Sequence, residues 1–272
     1  MSEAADGVTP SRPAWQPFTF GGVAVFAQSG AGQLLLMELV VALLAGICVV
    51  FFLQHACAPV VLQAIQEMPE SAKIDHGRLT GIATTVVAGN KLLAIAITPE
   101  TSGDIGQSAD MQLQLRPANF RMGSVFLPDW GWEFQYGPDW TVDMSRAYLE
   151  PWWGAWRPVL LTAAGVAGVA ALFVIWAALA LIYTLPVLGF AWFADRAMGW
   201  DRAWRLASAA LMPGALLMNL AILLYATESI DLVGLISFCA AHFIVGWVYA
   251  FGGALACPRL GPSPLRHNPF MP

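Results

Sequence analysis

Four stretches of this chain are almost wholly apolar, and the segment between the first and second is not. Residues 34–53 are interrupted only by Glu38, and long apolar runs return at 158–193, 206–226 and 232–256. A helix needs about 20 such residues to cross the hydrocarbon core of a bilayer. The pattern therefore predicts an α-helical membrane protein with about four transmembrane helices, at 34–53, 158–185, 206–226 and 232–256. The second run is too long for one straight crossing, because its 36 residues would make a helix of about 54 Å against a core of about 30 Å. Pro186 is where a kink or an end is expected. That leaves 187–193 as an interfacial piece of a 186–205 connection, although the same length admits a re-entrant element or a fifth crossing.

Segment 54–157 carries the strand signals. A short apolar run at 92–98 stops at Pro99, 111–116 alternates strictly, and two short strands at 124–127 and 132–136 flank Pro128-Asp129-Trp130-Gly131. These features predict a small, mainly β domain. Ahead of it, 59–68 extends the first helix by two turns. Behind it, Trp152, Trp153 and Trp156 beside Arg157 mark an aromatic belt where the chain re-enters lipid. Segment 1–33 begins polar and then mixes Trp15, Phe18, Phe20 and Phe26 with glycines, as expected at a membrane interface. It lacks the basic start and small-residue cleavage pattern of a leader, so the first helix is expected to stay as an anchor.

Cations in short connections set the expected orientation. Arg196, Arg202 and Arg205 precede the third helix, Arg259 and Arg266 lie in the 257–272 tail, and the 226–232 turn offers only Glu228 and Asp231. The positive-inside rule then places both termini in the cytoplasm and 54–157 outside, in a plasma (inner) membrane.

Composition narrows the function classes. The chain is 58% hydrophobic and only 11% charged, where about 25% charged residues is usual for soluble domains. No run of Lys and Arg tracks a phosphate backbone, which argues against nucleic acid as a partner. Cys48, Cys57, Cys239 and Cys257 have no metal or redox spacing. Phosphate-binding loops, zinc-protease helices, nucleophile elbows and dinucleotide fingerprints are all missing. No cofactor and no enzymatic activity are expected.

Two ionisable groups fall inside predicted spans, where they are costly and often functional. Glu38 shares a face with Ala42 and Gly46, so it points at protein, either as a proton or cation site or as an ion-pair partner of Arg205. His242 shares a face with Gly246, Ala250 and Ala254. Counting depth along helices three and four places it level with Asn219, which predicts a hydrogen bond between them. In the β domain, Asp75, His76, Asp104, Asp110, Glu133, Asp139 and Asp143 match no catalytic or metal spacing and read as a solvated surface. Alternation puts Trp130, Trp132, Phe134 and Tyr136 on one strand face, which with Trp140 forms either a small core or a contact surface.

The order of these features resembles a bacterial family of multi-span membrane proteins of unknown function that includes a maltodextrin-utilisation-cluster membrane protein, distantly Yip-type. The likeness lies in the aromatic N-terminal stretch, in Ile74-Asp75-His76-Gly77-Arg78-Leu79 as an I-x-x-G-x-L opening of the β domain, in the apolar strand at 94–101, and in Ala203-Trp204-Arg205-Leu206-Ala207 with the later Pro213. Ile97-Thr98-Pro99-Glu100-Thr101 stands where relatives tend to show Ile-Asp-Thr. The resemblance implies a topology and no reaction. The expected function is that of a non-enzymatic accessory or assembly subunit, or an envelope sensor, acting through helix packing and its extracytoplasmic domain. Its partners would be the bilayer, other membrane subunits or copies of itself. The alternative is a transporter or permease component with a polar path at Glu38, Asn219 and His242.

Overall fold

The structure, a computed structural model, describes residues 16–99, 109–124 and 127–259, with backbone alone for 127–130. Trp15, Asp104, Arg266 and the Trp130 side chain, all named above, lie outside the described residues. Among the described residues, four helices are long and apolar enough to cross a membrane: Ala31–Gln66, Arg146–Phe193, Trp200–Ala226 and Leu232–Ala256. A small β region lies between the first and second.

The first of these rods is α2 (Ala31–Phe52), a π-helical turn (Leu53–Cys57) and α3 (Ala58–Gln66), preceded by the short α1 (Phe20–Phe26). Pro59 explains the π turn. It has no N–H to give the carbonyl four residues back, and the ladder widens so that the Ala58 N–H reaches Leu53 O instead. The second rod, α4 (Arg146–Phe193), is one helix of 48 residues. It does not end at Pro186, and 187–193 form its last turns. Val187 and Ala191 are fully buried there, and that packing outweighs the single ladder bond a proline removes. The third and fourth are α5 (Trp200–Ala226) and α6 (Leu232–Ala256).

The chain divides into two compact units, one from Met1–Ala45, Val169–Met218 and Phe238–Pro272, the other from Gly46–Gly168 and Asn219–Ser237. In the first unit, α5 is buried without interruption from Leu206 to Met212. Seven consecutive buried positions cover every side of a helix, so α5 is the central element there. Its Ala207, Ser208, Ala209 and Ala210 let neighbours approach closely. Val23 and Phe26 of α1 join the same core, and α6 supplies Gly253, where an added methyl group would lie 2.9 Å from Val23.

The second unit holds the β region. A three-stranded sheet is ordered β2 (Arg78–Thr80), β1 (Lys73–Asp75), β8 (Val142–Asp143). The β1–β2 loop is His76-Gly77, with φ of 47° and 72°, the left-handed pair of a tight hairpin turn. The I-x-x-G-x-L segment is thus a hairpin whose Ile74 and Leu79 are cross-strand partners, both buried. A five-stranded sheet runs β3 (Val86–Gly89), β4 (Leu93–Ile97), β5 (Met111–Leu115), β6 (Asn119–Ser124), β7 (Leu127–Gln135), with β4 and β5 parallel and the other pairs antiparallel. Strands were expected at β4 and β5. Pro128-Asp129-Trp130-Gly131 was expected to separate two strands, but it lies within β7. A proline is tolerated there because the pairing with β6 jumps from Gly123–Gly131 to Ser124–Leu127, so 128–130 oppose no residue of β6 and Pro128 owes the ladder no donor.

Candidate functional site

Leu34, Glu38, Ala42 and Gly46 are buried at four-residue steps on α2, while Leu35, Leu39, Leu43 and Ile47 are exposed. The inward stripe carries one charged type. Glu38 is 4% exposed, and the Ser208 hydroxyl donates to its Oε1. The same Ser208 accepts at its main-chain oxygen from Trp176 Nε1 on α4, at 3.0 Å. One serine therefore ties three helices of the first unit together.

The ion pair expected between Glu38 and Arg205 is not formed. Arg205 lies nearly one turn before Ser208, and its guanidinium is bonded to the Asp201 carboxylate four residues back and to Ser29 O at 2.7 Å. Asp201 shares Arg205's own helix face, so the local partner is reached first. His242 Nδ1 pairs with the Cys239 carbonyl of its own helix, and Asn219 Nδ2 is buried without a hydrogen-bond partner. The His242 face is nonetheless as expected, since Gly246, Ala250 and Ala254 are buried. Next to it, a methyl group added to Gly214 would lie 2.7 Å from the His242 carbonyl oxygen, so α5 and α6 run in close contact there.

In the second unit the five-stranded sheet has one apolar face. The strand register aligns Ala88, Ile95, Leu113, Met122 and Trp132 across it, and Val86, Ile97, Leu115, Phe120 and Phe134 in the adjacent row. Val60 and Ala64 of α3 share a core with the β3–β5 end of this face. Towards the β7 edge the cover runs out. Tyr136 is 7% exposed, Phe134 48% and Trp132 58%. Tyr136 is thus a core residue rather than part of a contact surface, whereas Trp132 and Phe134 are open, Phe134 stacked on Phe120 with ring centroids 4.9 Å apart. Trp140 is half exposed and folds back over Gly137.

The opposite face is polar. Arg116 donates twice to Gln114 Oε1, at 2.7 and 3.1 Å, and lies 3.5 Å from Glu133 Oε1. Three carboxylates of this domain have structural partners. Asp75 bonds Lys73 and His76, Asp143 accepts from the Ser145 N–H, and Asp110 accepts from Tyr225. Among the described residues, no three His, Cys, Asp or Glu side chains gather as a metal site would require.

Ser208, Trp176 and Tyr225 were not singled out in the sequence. A hydroxyl interrupting the Ala-rich run after Arg205 was the available signal for Ser208. Nothing local marked the other two.

Searches of protein-family models, curated proteins and solved structures found no match to this chain.

Proposed function

We propose that this chain is a multi-pass membrane protein without catalytic activity, working as an accessory subunit or envelope sensor through helix packing and the β domain. The observation that carries this reading is the unpartnered apolar surface. Large apolar side chains stand exposed along α2, α4 and α6, among them Ile47, Val174, Leu185 and Ile244. Soluble monomers rarely expose contiguous apolar patches of more than a few hundred Å², and lipid is the solvent that tolerates such faces. By the charge rule applied to Arg196, Arg202, Arg205 and Arg259, the termini lie in the cytoplasm and the β domain outside.

The test is chemical crosslinking of the full chain in native membranes, followed by detergent extraction. Recovery in crosslinked complexes, reduced when Trp132 and Phe134 are replaced by Ser, is the expected outcome. Migration as a lone monomer with no captured partner would overturn the proposal.

A second reading is favoured by Glu38 alone, an acid enclosed among apolar helices and bonded to a serine hydroxyl. It makes the chain a transporter component, with His242 and Asn219 further along the path. Reconstituted flux unchanged by Glu38→Gln and His242→Ala would remove it.

A further inference from the structure

Within the second unit, the turn between β3 and β4 docks on the ends of three helices. Asn90 does two jobs. Its Oδ1 accepts from the N–H groups of Leu92 and Leu93, at 2.9 and 2.8 Å, which shapes the turn, and its Nδ2 donates to Ala56 O at 2.8 Å. Ala56 belongs to the π-helical turn above Pro59. Leu92, the next apolar residue, is buried in a separate small core with Ala56 and Tyr225, joined by Phe52, Ile230, Leu232 and Leu235.

Asp110 extends the contact. Its N–H bonds Lys91 O at 2.9 Å, which fixes it to the turn, and its Oδ2 accepts from the Tyr225 hydroxyl at 2.7 Å. The Tyr225 ring stacks on Phe52 with centroids 5.8 Å apart. Lys91 Nζ lies 3.7 Å from Glu228 in the α5–α6 turn, where Glu228 has a φ of 55°. The β3–β5 end of the sheet's apolar face is covered by α3 through a different core.

We propose that the β3–β4 turn and Asp110 form a latch that couples the five-stranded sheet to the α5–α6 hairpin, so that a change in either one is passed to the other. Two features make the junction suited to this role. Its core around Leu92 is separate from the one between α3 and the sheet. Beside that core two side-chain hydrogen bonds, from Asn90 to Ala56 O and from Tyr225 to Asp110, join the turn to the helices, and each can be removed singly to weaken the junction. The latch rests on the sensor form of the proposed function, for which it supplies the route between the β domain and the helices.

The test is hydrogen–deuterium exchange on the full chain in detergent, with two conservative variants. Tyr225→Phe keeps the stack on Phe52 and loses the hydroxyl. Asn90→Asp keeps the acceptor that shapes the turn and loses the donor to Ala56. Each variant is expected to speed exchange in both 86–97 and 223–235 by a common factor of about ten, the worth of one hydrogen bond, with 73–80 unchanged. A rise confined to the segment that carries the substitution would overturn the coupling, and so would a uniform rise that includes 73–80. The measurement is indifferent to what the protein senses, so the latch and the proposed function fail separately.

Discussion

Ser208 on α5 donates its hydroxyl hydrogen to Glu38 on α2, and Arg205, the cation nearest in sequence to that serine, bonds elsewhere. Helix contact here depends on a neutral hydroxyl. Ser208→Ala leaves a buried carboxyl group without that donor, which costs about 1–3 kcal/mol. Glu38→Gln keeps an acceptor for the serine and is expected to cost less. Thermal unfolding in detergent checks the order, and a larger loss from Glu38→Gln than from Ser208→Ala would contradict it.

Gly214 and Gly189 make opposite predictions for the same change. A methyl group on Gly214 would lie 2.7 Å from the backbone oxygen of His242, and one on Gly189 meets nothing within 4 Å. Gly214→Ala must push α5 and α6 apart, at a cost of about 1–3 kcal/mol. Gly189→Ala, inside α4, is expected to add about 0.5–1 kcal/mol through backbone entropy. Melting temperatures that move in the same direction would refute the pair.

Tyr136 carries a buried hydroxyl with no hydrogen-bond partner. Tyr136→Phe removes it and should stabilise the β domain by about 1 kcal/mol. Burial also pushes the phenol from its ordinary value of 10.0 up to about 12. Above pH 10 the unfolded chain ionises while the folded one keeps its proton, so stability falls as pH rises through that window. Denaturant titrations at pH 9 and pH 11 should show the fall in the native chain and less of it in Tyr136→Phe.

Asp75 and Asp143 give the acid side. Hydrogen bonds from Lys73 and then His76 hold Asp75 below the usual carboxylate value, and the Ser145 hydroxyl and N–H do the same for Asp143. A depressed folded value means stability that is present above the unfolded value, about 3.9, and lost as pH falls through the folded one. Both groups are exposed, so the effect is small. Asp75→Asn and Asp143→Asn should flatten the loss of stability below about pH 4, and an unchanged acid limb in tryptophan fluorescence would reject the assignment.

Much of the helical architecture was legible in the pattern alone. Uninterrupted apolar runs marked four helices, and four-residue steps identified inward faces at Glu38, Ala42 and Gly46 and again at Gly246, Ala250 and Ala254. β4 and β5 were legible as apolar or alternating runs between breakers. These features are local, because a helix or strand shows its buried face at its own period.

The partners on those faces were decided only by tertiary structure. Depth along a helix is one coordinate, and it made Arg205 a natural mate for Glu38. Which side chain reaches which also depends on rotation about the helix axis and on closer competitors, here Asp201 and Ser29. The two prolines show the same division. Locally, Pro186 and Pro128 each announce a break, yet α4 continues because Val187 and Ala191 are packed, and β7 continues because its pairing with β6 skips 128–130 and resumes at Leu127. A missing N–H has a fixed local cost, and only the surrounding packing determines whether the chain stops there.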